Sequence, residues 1–170
     1  MTERLSSCRG CLLGLAVGDA MGHIVDEKTF SQICEDYGPN GLLGYDLVNG
    51  QAEGSAYTQV AAYVANGLLL GITRGKPEQY LRFAGVSLRE WARAQNFPRD
   101  PERSYCWVAK LPQMRKKKYK DSRMLDALRA QELGSVDQPI NRSNAPGSLA
   151  GAAMAGLAWK STVWVQKPWP

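Results

Sequence analysis

The chain has 170 residues, 44% of them hydrophobic, and a formal net charge of +5. That length fits a single domain over 1–170, and the apolar content excludes an intrinsically disordered chain. No run of about 18 apolar residues occurs, which excludes a hydrophobic membrane-spanning helix. Met1-Thr2-Glu3-Arg4 does not lead into a secretory signal. Four cysteines and one histidine argue against a disulfide scaffold and against most histidine-based chemistry, so a reduced, cytoplasmic protein is expected.

Charge is unevenly placed. Residues 1–70 carry three basic and eight acidic side chains, and residues 71–170 carry eighteen and eight. The basic second half favours an anionic partner or a self-complementary assembly, with a plain solvated surface as the simpler reading.

In chain order, Thr2 or Ser6 is placed to cap a first helix, along which Leu5, Cys8, Leu12, Leu15 and Ala16 recur at helical spacing. Gly10, Gly14, Gly18 and Gly22 form a ridge on it, and four helix-weakening residues in register predict close approach of another backbone. Tyr37-Gly38-Pro39-Asn40-Gly41 and Asn49-Gly50 are turn signals. Ser55 then reads as the N-cap of a helix reaching about Leu70, with Val60, Ala61, Val64 and Leu68 as its apolar stripe. A third helix fits Pro77–Asn96, burying Tyr80, Phe83, Ala84, Val86, Leu88 and Trp91. Residues 97–120 read as irregular. A fourth helix fits Asp121–Leu133, with Met124, Leu125 and Leu128 inward, and a small-residue helix fits Ser148–Trp159 after a loop over Asn141–Ser148. Helical periodicity dominates, so the expected fold class is all-α, a compact helical bundle.

Three segments carry a resemblance. The first is Arg9-Gly-Cys-Leu-Leu-Gly-Leu-Ala-Val-Gly-Asp-Ala-Met-Gly22 with His-Ile-Val-Asp26 after it, the second Tyr37-Gly-Pro-Asn-Gly41, and the third Asn141-Arg-Ser-Asn-Ala-Pro-Gly-Ser-Leu-Ala-Gly-Ala-Ala-Met-Ala-Gly-Leu157. In this order they resemble the ADP-ribosylglycohydrolase family, which includes the dinitrogenase-reductase-activating hydrolases. Asp121-Ser-Arg-Met-Leu-Asp-Ala-Leu128 is similar to a further family pattern. The likeness covers most of this chain but only the N-terminal half to two-thirds of the family's usual length. It implies an all-helical, magnesium-dependent hydrolase fold that cleaves the bond between ADP-ribose and a protein side chain. Two ions are held largely by carboxylates, from a Thr-Asp-Asp-Thr helix start and a later Asp-x-Asp-Thr segment. Hard Mg²⁺ prefers such oxygen ligands and can activate water.

At the chemistry the resemblance departs. The first metal motif reads Ser55-Ala56-Tyr57-Thr58-Gln59, so two carboxylates have become Ala56 and Tyr57. No Asp or Glu follows Asp137, so the second motif has no counterpart. Asp26 stands where the family usually has Glu, and Gly151 where it has Arg. No magnesium or other cofactor is therefore expected, and no metal ligand is assigned. The resulting expectation is a non-catalytic relative acting by binding another protein, as an inhibitor, decoy or immunity-type partner. Residual glycohydrolase activity with Asp26 as acid/base group is the alternative. An ADP-ribose-binding module using Ser55, Thr58, Asn141, Ser143 and Gly147 is another.

The remaining constellations are weaker. Cys8-x-x-Cys11 lacks a second pair, so packing outranks zinc. His23 as a general base would need Asp26, three residues on. Arg115, Lys116, Lys117, Lys118 and Lys120, with Tyr119 between, form a basic cluster. It reads as a flexible loop, a dock for an acidic protein, or a nucleic-acid contact. Trp159, Trp164 and Trp169 are anchor-type residues for an interface, though core packing also accounts for Trp159.

Overall fold

The opening helical pattern becomes α1, Glu3–Gly22. In the computed structural model the described residues are 3–97, 100–118, 122–130, 134, 135, 137–140, 142 and 147–159. Among them the chain forms α-helices, short 3₁₀ turns and loops, and no strand beyond one isolated bridge. The all-α expectation holds. Two compact units divide the chain, residues 1–58 and 59–170.

In the first unit, α1 is followed by α2, Phe30–Tyr37. Sequence reading missed α2, although its start is a local signal. Thr29 Oγ1 accepts from Gln32 N at 3.3 Å, and Gln32 Oε1 accepts from Thr29 N at 2.8 Å, closing a capping box. Asn49-Gly50 makes the expected turn. Both residues have positive φ, 51° and 75°, and Val48 and Gln51 exchange two backbone hydrogen bonds across them.

The glycine ridge of α1 corrects the sequence reading. A Cβ placed on Gly10, Gly14, Gly18 or Gly22 meets nothing within 4 Å, so no backbone approaches there. Leu13 and Val17 beside it are exposed.

Ser55 precedes α3, Ala56–Thr73, whose first turn carries the division between the units. In the second unit the predicted stripe is the observed one: Val60, Ala61, Val64 and Leu68 are all buried. The close backbone approach lies here instead. A Cβ on Gly67 would sit 2.5 Å from the Phe83 carbonyl oxygen and 2.7 Å from the Ala84 Cα. These two belong to α4, Tyr80–Asn96, which follows a 3₁₀ turn at Pro77–Gln79. Gly67→Ala should therefore cost about 2 kcal/mol or more through overpacking. Gly14→Ala should stabilise by about 0.5–1 kcal/mol, because Ala is the better helix former and nothing opposes its methyl. Thermal denaturation of the two variants beside the parent checks both signs.

The inward face of α4 also differs from expectation. Of the predicted apolar set only Trp91 is fully buried, and Ser87, Glu90 and Gln95 join it. These polar residues serve the segment that follows. Residues 100–118 are mostly non-helical, with 3₁₀ turns at Pro101–Arg103 and Trp107–Lys110 and a single turn, α5, at Pro112–Arg115. Their backbone groups need partners. Ser104 Oγ, bonded to Glu90 Oε2 at 3.2 Å, accepts from Cys106 N at 3.1 Å. Val108 N donates to Asn66 Oδ1 at 3.3 Å.

Two further helices complete the unit. In α6, Ser122–Arg129, the inward-facing Met124, Leu125 and Leu128 are half-buried. Arg89 of α4 reaches this region, donating to the Ala130 carbonyl at 2.9 Å. In α7, Gly147–Trp159, Ala150 and Met154 are buried, and Gly151 lies against Val64. No helix among the described residues is long and apolar enough to cross a membrane.

Candidate functional site

The head of α3 is held by one carboxylate from α1. Asp19 Oδ1 accepts from Ser55 Oγ at 2.5 Å. Its Oδ2 accepts from Ser55 N at 2.7 Å, Thr58 N at 3.2 Å and Thr58 Oγ1 at 2.5 Å. Ser55 Oγ in turn accepts from Tyr57 N at 3.0 Å, the N-cap bond its position predicts. A carboxylate at a helix N-terminus also meets the positive end of the helix dipole. Gly54 makes room for it: a Cβ there would lie 2.8 Å from Thr58 Oγ1 and 3.2 Å from Asp19 Oδ2.

Of the sequence-predicted residues, the structure brings Ser55 and Thr58 together, and both hydroxyls are already engaged by Asp19. Asp19 itself was not singled out from the sequence, because its partners lie 36 to 39 residues away. Asp26 lies exposed in the turn after α1 and contributes none of the hydrogen bonds described at this helix start. His23 does not pair with it: the His23 Nδ1 atom is buried without a partner. Gly147 is buried as the first residue of α7. Asn141, Ser143, Lys120 and Tyr119 lie outside the described residues, as do Trp164 and Trp169 and the side chain of Trp159. All four cysteines are free thiols.

The basic segment in the second unit is tied down over its described part. Gln59, buried on α3, donates its amide to the carbonyls of Gln113 and Lys116, both at 2.9 Å. Its Oε1 accepts from Trp91 Nε1 at 3.0 Å and Gln95 Nε2 at 3.2 Å. Gln95 Oε1 accepts from Lys118 N at 2.9 Å. Residues 115–118 are therefore anchored, which corrects the flexible-loop reading for that stretch.

Burial shapes two other groups in this unit. It pushes the Cys106 thiol up, the Ser87 hydrogen bond only partly opposing it. It pushes the Tyr63 phenol up to about 12 from 10.0, helped by Cys106 and Glu90. Below pH ~10 Tyr63 is protonated whether the chain is folded or not. Between about 10 and 12 the unfolded chain loses this proton and the folded one keeps it, so stability falls as pH rises through that window. Tyr63→Phe should remove this part of the fall, as urea denaturation at about pH 9 and about pH 11 checks.

The sequence model of the ADP-ribosylglycohydrolase family matches residues 1–167, and the chain belongs to that family. No curated protein and no solved structure matches the chain.

The family's magnesium can be tested against the donors present. At the head of α3, Ala56 is 5% exposed and brings no oxygen. Tyr57 offers only a phenol. Both Asp19 oxygens accept from protein donors, so neither is aimed outward as a ligand. Mg²⁺ needs near-octahedral oxygen ligation built on carboxylates. Ser55–Thr58 with Asp19 does not fit that requirement.

Proposed function

We propose that this chain is a non-catalytic member of the ADP-ribosylglycohydrolase family that works by binding another protein, as an inhibitor, decoy or immunity-type partner. One observation carries the reading. The helix start that resembles the family's first metal motif presents Ala56 and Tyr57, and its neighbouring carboxylate is spent on capping. The protein-binding half draws support from the anchored basic segment. Lys116 and Lys117 are exposed on backbone that Gln59 and Gln95 hold in place. A pre-ordered charged edge loses less entropy on docking against an acidic surface.

The test is a hydrolysis assay on ADP-ribosyl-arginine and ADP-ribosyl-serine substrates with added Mg²⁺ or Mn²⁺. No metal-dependent release of ADP-ribose is expected. Turnover that vanishes in Ser55→Ala or Asp26→Asn would overturn the proposal.

A further inference from the structure

The second unit contains a cavity of about 380 Å³ between the C-terminal half of α4 and the segment after it. Its charges are not balanced by the protein. Of the two lining acids, Glu90 is held by Arg93 at 2.8 Å and by Ser104 at 3.2 Å. Asp100 accepts from Glu102 N at 3.0 Å and lies 3.7 Å from Arg103. The lining cations Arg115 and Lys117 have no ion-pair partner among the described residues.

Two polar atoms on lining side chains are also unsatisfied. Arg115 Nε is buried without a hydrogen-bond partner, and so is the hydroxyl of Tyr63, a residue with no exposed surface. Buried polar atoms in folded proteins are nearly always paired, so two orphans beside one cavity call for a missing partner. Arg115 Nε only donates, and a protonated phenol readily does so. Two donors and two uncompensated positive charges select an anion with several acceptor oxygens. The volume exceeds what an inorganic ion fills and falls within the range of small-molecule pockets. Ala94, Phe97 and Pro101 supply apolar wall for an organic body.

We propose that this cavity is a binding site for a small organic phosphate, with the phosphoryl group received by Arg115, Tyr63 and Lys117. The site does not depend on the reading of the α3 head, since no residue of that helix start lines it.

The experiment is a titration of the isotopically labelled full chain followed by amide NMR, with glucose 6-phosphate, inorganic phosphate and glucose as probes. Glucose 6-phosphate should bind saturably in the millimolar range or tighter, shifting amides of residues 94–97 and 115–118. Inorganic phosphate should compete, and glucose should do neither. Arg115→Met should weaken binding about tenfold or more, with Arg115→Lys recovering part of it. Tyr63→Phe removes an orphaned hydroxyl, so the fold should tolerate it while affinity drops several-fold. Absence of saturable binding at ~10 mM would overturn the proposal. So would binding that both Arg115→Met and Tyr63→Phe leave unchanged, or equal shifts with glucose.

Discussion

Replacing Gln59 with Met should destabilise the protein by about 3–4 kcal/mol, although the side-chain volume barely changes. The amide of Gln59 uses both its donors and both acceptor positions on its oxygen. Met satisfies none of these four partners. Trp91 Nε1 and the carbonyls of Gln113 and Lys116 would be left without this bond in a buried place, and each orphan costs about 1–3 kcal/mol before relaxation. Because the network also holds Gln95, and Gln95 receives Lys118 N, the effect should spread to the basic segment. Urea denaturation measures the loss of stability. Hydrogen exchange should show faster opening at the Lys118 amide, while the Val108 amide, held separately by Asn66, changes less. A shift below about 1 kcal/mol would show that the network is not the fastening described.

Asp19→Ala should cost about 3 kcal/mol. It removes the acceptor for two backbone N–H groups and two hydroxyls at the start of α3. An ordinary N-cap deletion costs about 1 kcal/mol. Here the lost acceptor is charged and receives four donors, which places the effect higher. Asp19→Asn retains shape and one carbonyl oxygen but turns an NH₂ group toward donors, so it should recover only part of the loss. Calorimetric melting of both variants, compared with Ser55→Ala, orders the three. If Asp19→Ala proved milder than Ser55→Ala, the cap would rest on the serine and not on the aspartate.

What could be read from the sequence was largely what is local. The Ser55 cap, the Val60-Ala61-Val64-Leu68 stripe and the Asn49-Gly50 turn each occupy a few neighbouring residues whose types dictate the geometry. The capping box at Thr29 and Gln32 was equally local and went unread. Asp19 was not legible, because nothing near it in sequence indicates a carboxylate crossing to a helix start 36 residues on. The polar inner face of α4 misled for a related reason. Glu90 and Gln95 look like solvent-facing residues until the irregular segment after the helix is seen to need their hydrogen-bonding groups. The glycine ridge shows the limit of spacing arguments. Gly10, Gly14 and Gly18 share a face whether or not anything lies against it, whereas the single Gly67 is the one pressed against a backbone. Of the candidate site, the substitutions at Ala56 and Tyr57 were legible from the family resemblance, and the diversion of Asp19 into capping was not.

The central claim is that the head of α3 is a capped helix start and no longer a metal-binding one. Titration of the full chain with Mn²⁺ in place of Mg²⁺, followed by paramagnetic broadening of amide signals, addresses it directly. The prediction is that the amides of Ser55, Tyr57 and Thr58 stay sharp with Mn²⁺ in several-fold molar excess. Selective broadening of those amides at a stoichiometric amount of Mn²⁺, abolished in Asp19→Asn, would contradict it.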